Sequence, residues 1–156
     1  MVKNNIFKHS YDKALFTYYI LRRLEAGKVD SFNERLMSQK VQYFAQLFKA
    51  SPCYSFSLYI RGPYSPDLAY DLFQIKKEGL RMKLDKFIPI ELEKRFGCLK
   101  KFIQGKSIRQ LELTATLHWL LRVARLSEVR AKKWLVEWKK ASPDEIEYAF
   151  NVIKEL

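Results

Sequence analysis

Tyr54-Ser55-Phe56-Ser57-Leu58-Tyr59-Ile60-Arg61-Gly62-Pro63-Tyr64-Ser65-Pro66-Asp67-Leu68 is the stretch that decides the fold, because the hydrophobic period changes inside it. Apolar residues hold alternate positions 54, 56, 58 and 60, the pattern of a half-buried strand. Gly62-Pro63 is expected to end that strand. Ser65 is a good N-cap, Pro66 suits the first helical position, and Asp67 favours a helix N-terminus. The helix so opened should run to about Glu78, turn Leu68, Leu72 and Ile75 inward, and close at Gly79. Leu80-Arg81-Met82-Lys83-Leu84-Asp85 alternates again and predicts a second strand with Arg81 and Lys83 outward.

On the N-terminal side, residues 10–26 are apolar nearly all round, which predicts a helix buried on several sides and stopped at Gly27. Ser31 with Glu34 forms a capping box. The helix after it places Met37, Val41, Phe44 and Phe48 on one face, and Pro52 marks its end. On the C-terminal side, residues 90–104 read as a basic helix interrupted by Gly97. Residues 109–125 carry a Leu113, Leu117, Leu120, Ala124 stripe, and residues 128–140 should bury Ala131, Trp134, Leu135 and Trp138. Ser142-Pro143-Asp144-Glu145 opens a last helix with Ile146, Ala149, Phe150 and Ile153 inward. The expected fold is mostly α with a small antiparallel β-sheet and about seven helices. The order helix, helix, strand, helix, strand resembles a winged-helix domain, residues 1–156 forming one such domain with a helical extension from about 90 to 156. The Ser65–Glu78 helix would be the recognition element and residues 80–88 the start of the wing. Asp67 and Asp71, read as lying on its exposed side, oppose base reading, and so does the strand between the two candidate motif helices.

The chain has 156 residues and a net charge of +12. Residues 1–60 carry +5, residues 61–140 carry +10 and residues 141–156 carry −3. Lys94, Arg95, Lys100, Lys101, Lys106 and Arg109 follow one another with no acid among them, and a second excess runs from Arg122 to Lys140. A surface of this kind attracts polyanions by releasing their counterions. No apolar run approaches the ~18 residues of a spanning helix, and the N-terminus lacks a signal-peptide core. Two cysteines, Cys53 and Cys98, make no disulfide framework and read as buried small hydrophobes. A cytoplasmic setting is therefore expected.

The chemistry-bearing motifs are missing. His9 and His118 are far apart, and His118 beside Trp119 reads as a packed, hydrogen-bonded histidine. No Cys/His cluster has metal spacing, no phosphate loop or dinucleotide fingerprint occurs, and no serine sits in a nucleophile elbow. A non-enzymatic protein with no metal and no cofactor is the expectation.

The leading functional reading is a basic binding protein that engages nucleic acid through a cationic face, as a regulator or defence-associated factor. Its candidate contacts are Arg61, Lys76, Lys77, Arg81, Lys83, Lys86, Lys94, Arg95, Lys100 and Lys101, working on the phosphate backbone. The alternative is an antitoxin-like or adaptor-like module that binds an acidic protein partner through Tyr59, Arg61, Tyr64 and Ser65. A small hydrolase or nuclease without a readable motif is a third.

Two segments also carry a family likeness. Residues 31–46, with Gln39, Lys40 and Tyr43, match a Q-K-x-x-Y helix, and Gly62, Pro63, Tyr64, Ser65 and Leu68 match a G-P-Y-S/V-x-x-L turn. In these and in residues 111–120 and 142–156, the chain resembles the YwgA-type family of small prokaryotic proteins and, more distantly, the Panacea (SocA-like) antitoxin domain. The resemblance implies a mostly helical, winged-helix-like fold. It implies protein-binding roles of the toxin-neutralising or adaptor kind, and transfers no catalytic site. The basic 94–109 segment belongs to no shared motif.

Overall fold

The computed structural model describes residues 10–26, 28–78 and 90–156. Among these residues the protein is mostly helical with one two-stranded antiparallel sheet. Its elements are α1 (Ser10–Arg23), α2 (Phe32–Leu47), β1 (Ser57–Tyr59), β2 (Gly62–Tyr64), α3 (Pro66–Glu78), α4 (Ile90–Ile103), α5 (Ile108–His118), α6 (Glu128–Lys139) and α7 (Pro143–Ile153). The expected strand at 80–85, the wing from 80 to 88, and with them Arg81, Lys83 and Lys86, lie outside the described residues.

The sheet forms earlier in the chain than the alternation implies. Gly62-Pro63 does not end the sheet; it begins β2. The chain turns back at Ile60-Arg61, pairing Ser57 with Tyr64, Leu58 with Pro63 and Tyr59 with Gly62. Residues opposite one another share a face, so Tyr59 and Tyr64 come together, with ring centroids 5.2 Å apart. Leu58, on the other face, packs into the core. The alternating residues 54–56 are not paired as a strand. They are held instead by Gln46, which accepts from the Tyr54 N–H at 2.7 Å and donates to its carbonyl at 3.1 Å.

Helix α5 is the axis of the molecule, since Leu111 through Leu117 are all buried. Leu111 and Ala115 belong to a core shared by α1, α2, α3 and α4, while Leu113 and Leu117 belong to a second built with α6 and α7. The capping boxes at Ser31/Glu34 and Ser142/Glu145 both form. A third, Ser107 with Gln110, starts α5. The stripe expected to run through residue 124 is broken. A π-helical turn, Trp119–Val123, adds a residue to the turn and rotates the chain beyond it, so Ala124 is exposed. Helix α4 passes through Gly97 without interruption.

Helix α1 stops at Arg23, short of Gly27, because Glu25 adopts φ 58° and Ala26 N–H reaches back to the Leu21 carbonyl. Lys49, Arg125 and Lys140 occupy the same left-handed region just past α2, the π turn and α6. Each is followed by a residue whose N–H closes onto the preceding helix, the geometry that usually calls for glycine. Cys53 and Cys98, read as buried, are both exposed. No described helix is long and apolar enough to cross a membrane.

Candidate functional site

The turn Ile60–Ser65 is anchored by side chains reaching it from three helices. Gln39 of α2 donates to the Ser65 carbonyl and accepts from the Ser65 N–H, both at 3.0 Å. Lys40, fully buried, donates from Nζ to the Pro63 carbonyl at 2.7 Å. Lys139, at the end of α6, donates to the Ile60 carbonyl. Its Nζ also lies 2.7 Å from Glu112 Oε1, with both side chains 3% exposed. The other Glu112 oxygen is 3.7 Å from the Arg61 guanidinium. One carboxylate on α5 thus serves two cations, and Lys40 feels it as well.

Gly62 is required here twice over. Its φ is +81°, and a Cβ built on it would lie 2.6 Å from Thr116 Oγ1 and 3.6 Å from Lys40 Nζ. Thr116 is held in place by donating to the Glu112 carbonyl at 2.7 Å. The two short motifs of the sequence are therefore one physical unit: the Gln-Lys pair of α2 reads the backbone of the Gly-Pro-Tyr-Ser turn. Tyr43, one turn further on, pairs with His118 Nδ1 at 2.7 Å. Burial, and then nearby Arg122, push the His118 ring down to about 4, so it is neutral at pH 7. His118 is the packed, hydrogen-bonded histidine that its sequence setting implies.

Burial pushes the Lys40 amine down to about 7; Glu112 opposes this and the Lys139 charge adds to it. Burial also lowers Lys139, against its bond to Glu112. A lysine depressed in the fold binds fewer protons there than in the unfolded chain. Between pH 7 and its ordinary 10.5, stability therefore rises with pH, and the burial penalty is fully present below pH 7. Urea midpoints measured at pH 7 and pH 9 should show a gain of about 1 kcal/mol per pH unit in wild type. Lys40→Met should flatten that slope, and an unchanged slope would remove Lys40 as its source.

A second buried polar set braces the same region. Tyr54 Oη donates to Asp71 Oδ2 at 2.7 Å and lies 2.8 Å from Thr17 Oγ1, joining α1, the loop before β1, and α3. Asp71 is thus inside the protein, not on an exposed recognition face. Burial, as the largest cause, raises its carboxyl above the usual range. The outer side of α3 shows Tyr70 and Phe73 instead.

Above this framework lies an open groove of about 610 Å³, lined by Phe32, Leu36, Tyr59, Ile60, Tyr64 and Leu72, with Arg35, Lys40 and Arg61 among them. Among the described residues, no acid lines it. Ile60, at the hairpin tip, is 89% exposed, and Tyr59 and Phe32 are each more than half exposed. Arg35 is exposed and, among the described residues, donates to the carbonyls of Val29 and Asp30.

The structure brings Tyr59, Arg61 and Tyr64 together at this groove, but Ser65 is completely buried and serves as the cap of α3, donating to no surface. The cations expected to form one polyanion-binding face are differently engaged. Arg61 turns to Glu112, Lys76 lies 3.6 Å from Asp30, and Arg95 lies 3.4 Å from Glu91. Lys77, Lys94, Lys100 and Lys101 are exposed and have no carboxylate partner among the described residues. Sequence reasoning missed the inward-pointing Lys40, Glu112 and Lys139. Among the described residues no three His, Cys, Asp or Glu side chains converge to hold a metal ion. Compared with protein-family models, curated proteins and solved structures, the chain finds no match.

Proposed function

We infer that the protein is a non-enzymatic binding module whose working surface is the groove between the β1–β2 hairpin, α2 and α3. Its occupant is a segment of a partner protein that carries bulky apolar and acidic side chains together. The observation that carries this reading is the lining itself: exposed Ile60, Tyr59 and Phe32 beside the exposed Arg35 and Arg61, with no acid among the described lining residues. Aromatic and arginine side chains around an apolar pocket are the usual anchors of protein recognition. The ionisable groups at the floor are already engaged with backbone carbonyls or with one another, which favours binding over catalysis. The reading is in keeping with the adaptor-like roles that the Panacea resemblance implies.

A labelled peptide pool alternating Asp or Glu with Leu or Phe tests it against a pool with Lys in place of the acids. The acidic pool should bind and the basic one should not. Ile60→Asp, at a solvent-exposed tip, should leave the fold intact and cut affinity by roughly 30-fold or more, as expected for an anchor worth about 2 kcal/mol. Equal binding of both pools, or an Ile60→Asp protein that binds like wild type, would end the proposal.

A second reading, electrostatic contact with nucleic acid, is favoured by the unpartnered Lys94, Lys100 and Lys101 of α4. Gel shifts at about 50 and 200 mM salt should differ several-hundred-fold in affinity for about five phosphate contacts. Lys100→Glu with Lys101→Glu should weaken binding at the lower salt, and no shift there counts against this reading.

A further inference from the structure

Trp138, expected in the core, is 71% exposed, while Ala131 and Leu135 of the same helix are fully buried. Trp134, one turn earlier, is partly buried, and the two indoles stack with centroids 6.2 Å apart and planes 27° from parallel. Arg130 precedes Trp134 by one further turn, so Arg130, Trp134 and Trp138 form a single stripe along α6. Exposing so large an apolar ring is costly unless something covers it.

The charge around the stripe points to what that is. Arg130, on the stripe itself, is exposed and has no carboxylate partner among the described residues. Glu137, the acid on this side of the helix, is occupied by Lys133 at 3.7 Å. Glu128 is turned to the cleft between α6 and α7, beside Lys132 and Phe150. A largely exposed indole, backed by a second one and preceded along the helix by an exposed arginine, is complementary to an unstacked base on a phosphate chain. A duplex offers no base faces to such rings.

We propose that the Trp134–Trp138 stripe of α6 is a stacking platform for single-stranded nucleic acid, with Arg130 contacting its phosphates. The site is separate from the groove and does not depend on the function assigned to it.

Quenching of intrinsic tryptophan fluorescence by an oligothymidylate of about ten nucleotides tests this at about 50 mM salt. Single strands should quench, and a duplex of the same length should bind more weakly. Trp138→Ala should lower affinity about 5- to 100-fold, the range of one base–aromatic stack, while Trp138→Phe keeps most of it. Arg130→Glu should weaken binding and make it less salt-dependent. Ile60→Asp should leave it unchanged, whether or not the groove binds peptide. No quenching, wild-type affinity in Trp138→Ala, or loss of binding in Ile60→Asp would each overturn the assignment. So would sedimentation showing a dimer that Trp138→Ala dissolves, since the stripe would then be covered by a second copy.

Discussion

Glu112→Leu should destabilise the protein by about 3–5 kcal/mol, because it leaves a buried lysine without its counter-charge. Lys139 Nζ sits 2.7 Å from Glu112, and neither side chain is more than 3% exposed. The remaining bond to the Ile60 carbonyl satisfies a proton but does not neutralise the ammonium. Arg61, more than half exposed, keeps access to water and contributes little to the cost. For a domain of this size such a loss lowers Tm by on the order of 10 °C. The informative measurement is a cycle. Adding Lys139→Met removes the stranded charge, and apolar replacement of a buried pair is often neutral, so the double variant should recover most of the loss. Urea denaturation of the four proteins reads this directly. A double variant no better than Glu112→Leu alone would show that the pair acts through the carbonyl bond and not through charge.

Gly62→Ala should cost about 2–4 kcal/mol, from two sources that can be separated. A left-handed backbone penalises any L side chain by about 1–2 kcal/mol. The rest is overpacking, since the new Cβ would sit 2.6 Å from Thr116 Oγ1. Thr116→Ala removes the obstructing oxygen but not the backbone strain. It should restore only part of the stability, again read by urea denaturation. Full recovery would show that the φ of +81° carries no penalty at this position, and no recovery would show that Thr116 is not the obstacle.

The sequence carries the outline of these elements well where the signal is local. A capping box needs only residues one turn apart, so Ser31/Glu34 and Ser142/Glu145 are legible, as is the inward face of α2 through Val41 and Phe44. Signals that depend on distant partners are not. Gln39, Gln42 and Gln46 look like the solvated side of an amphipathic helix. Yet Gln39 and Gln42 are buried, and all three bond to the irregular chain on either side of the hairpin, at Ser65, Pro52 and Tyr54, where backbone groups lack a regular ladder. Lys40 is hidden for the same reason, because a buried lysine is rare unless something inside needs its protons. Asp71 reads as exposed because nothing near it in sequence announces Tyr54, its buried partner.

Helix ends depart from expectation differently. Glycine is the usual stop signal, but Glu25, Lys49, Arg125 and Lys140 take the left-handed position themselves. The π turn has no sequence signature at all, and it explains why the stripe through Leu120 does not continue to Ala124. Of the candidate site, the cluster of Tyr59, Arg61 and Tyr64 is legible because a strand end places them within a few residues. The Trp138 face is not, since a tryptophan at helical spacing is ordinarily interior.

Lys139 joins two distant surfaces. Its amine grips the rim of the groove at Ile60, and its backbone is the next link in the chain after Trp138. The two outward surfaces of the protein are therefore separated by a single peptide bond and one side chain. Among the described residues the Lys139–Ile60 bond links the two surfaces directly, so any movement of the hairpin would reach the last turn of α6 through it. Whatever effect filling one surface had on affinity at the other, thermodynamic reciprocity would make the reverse effect equal to it.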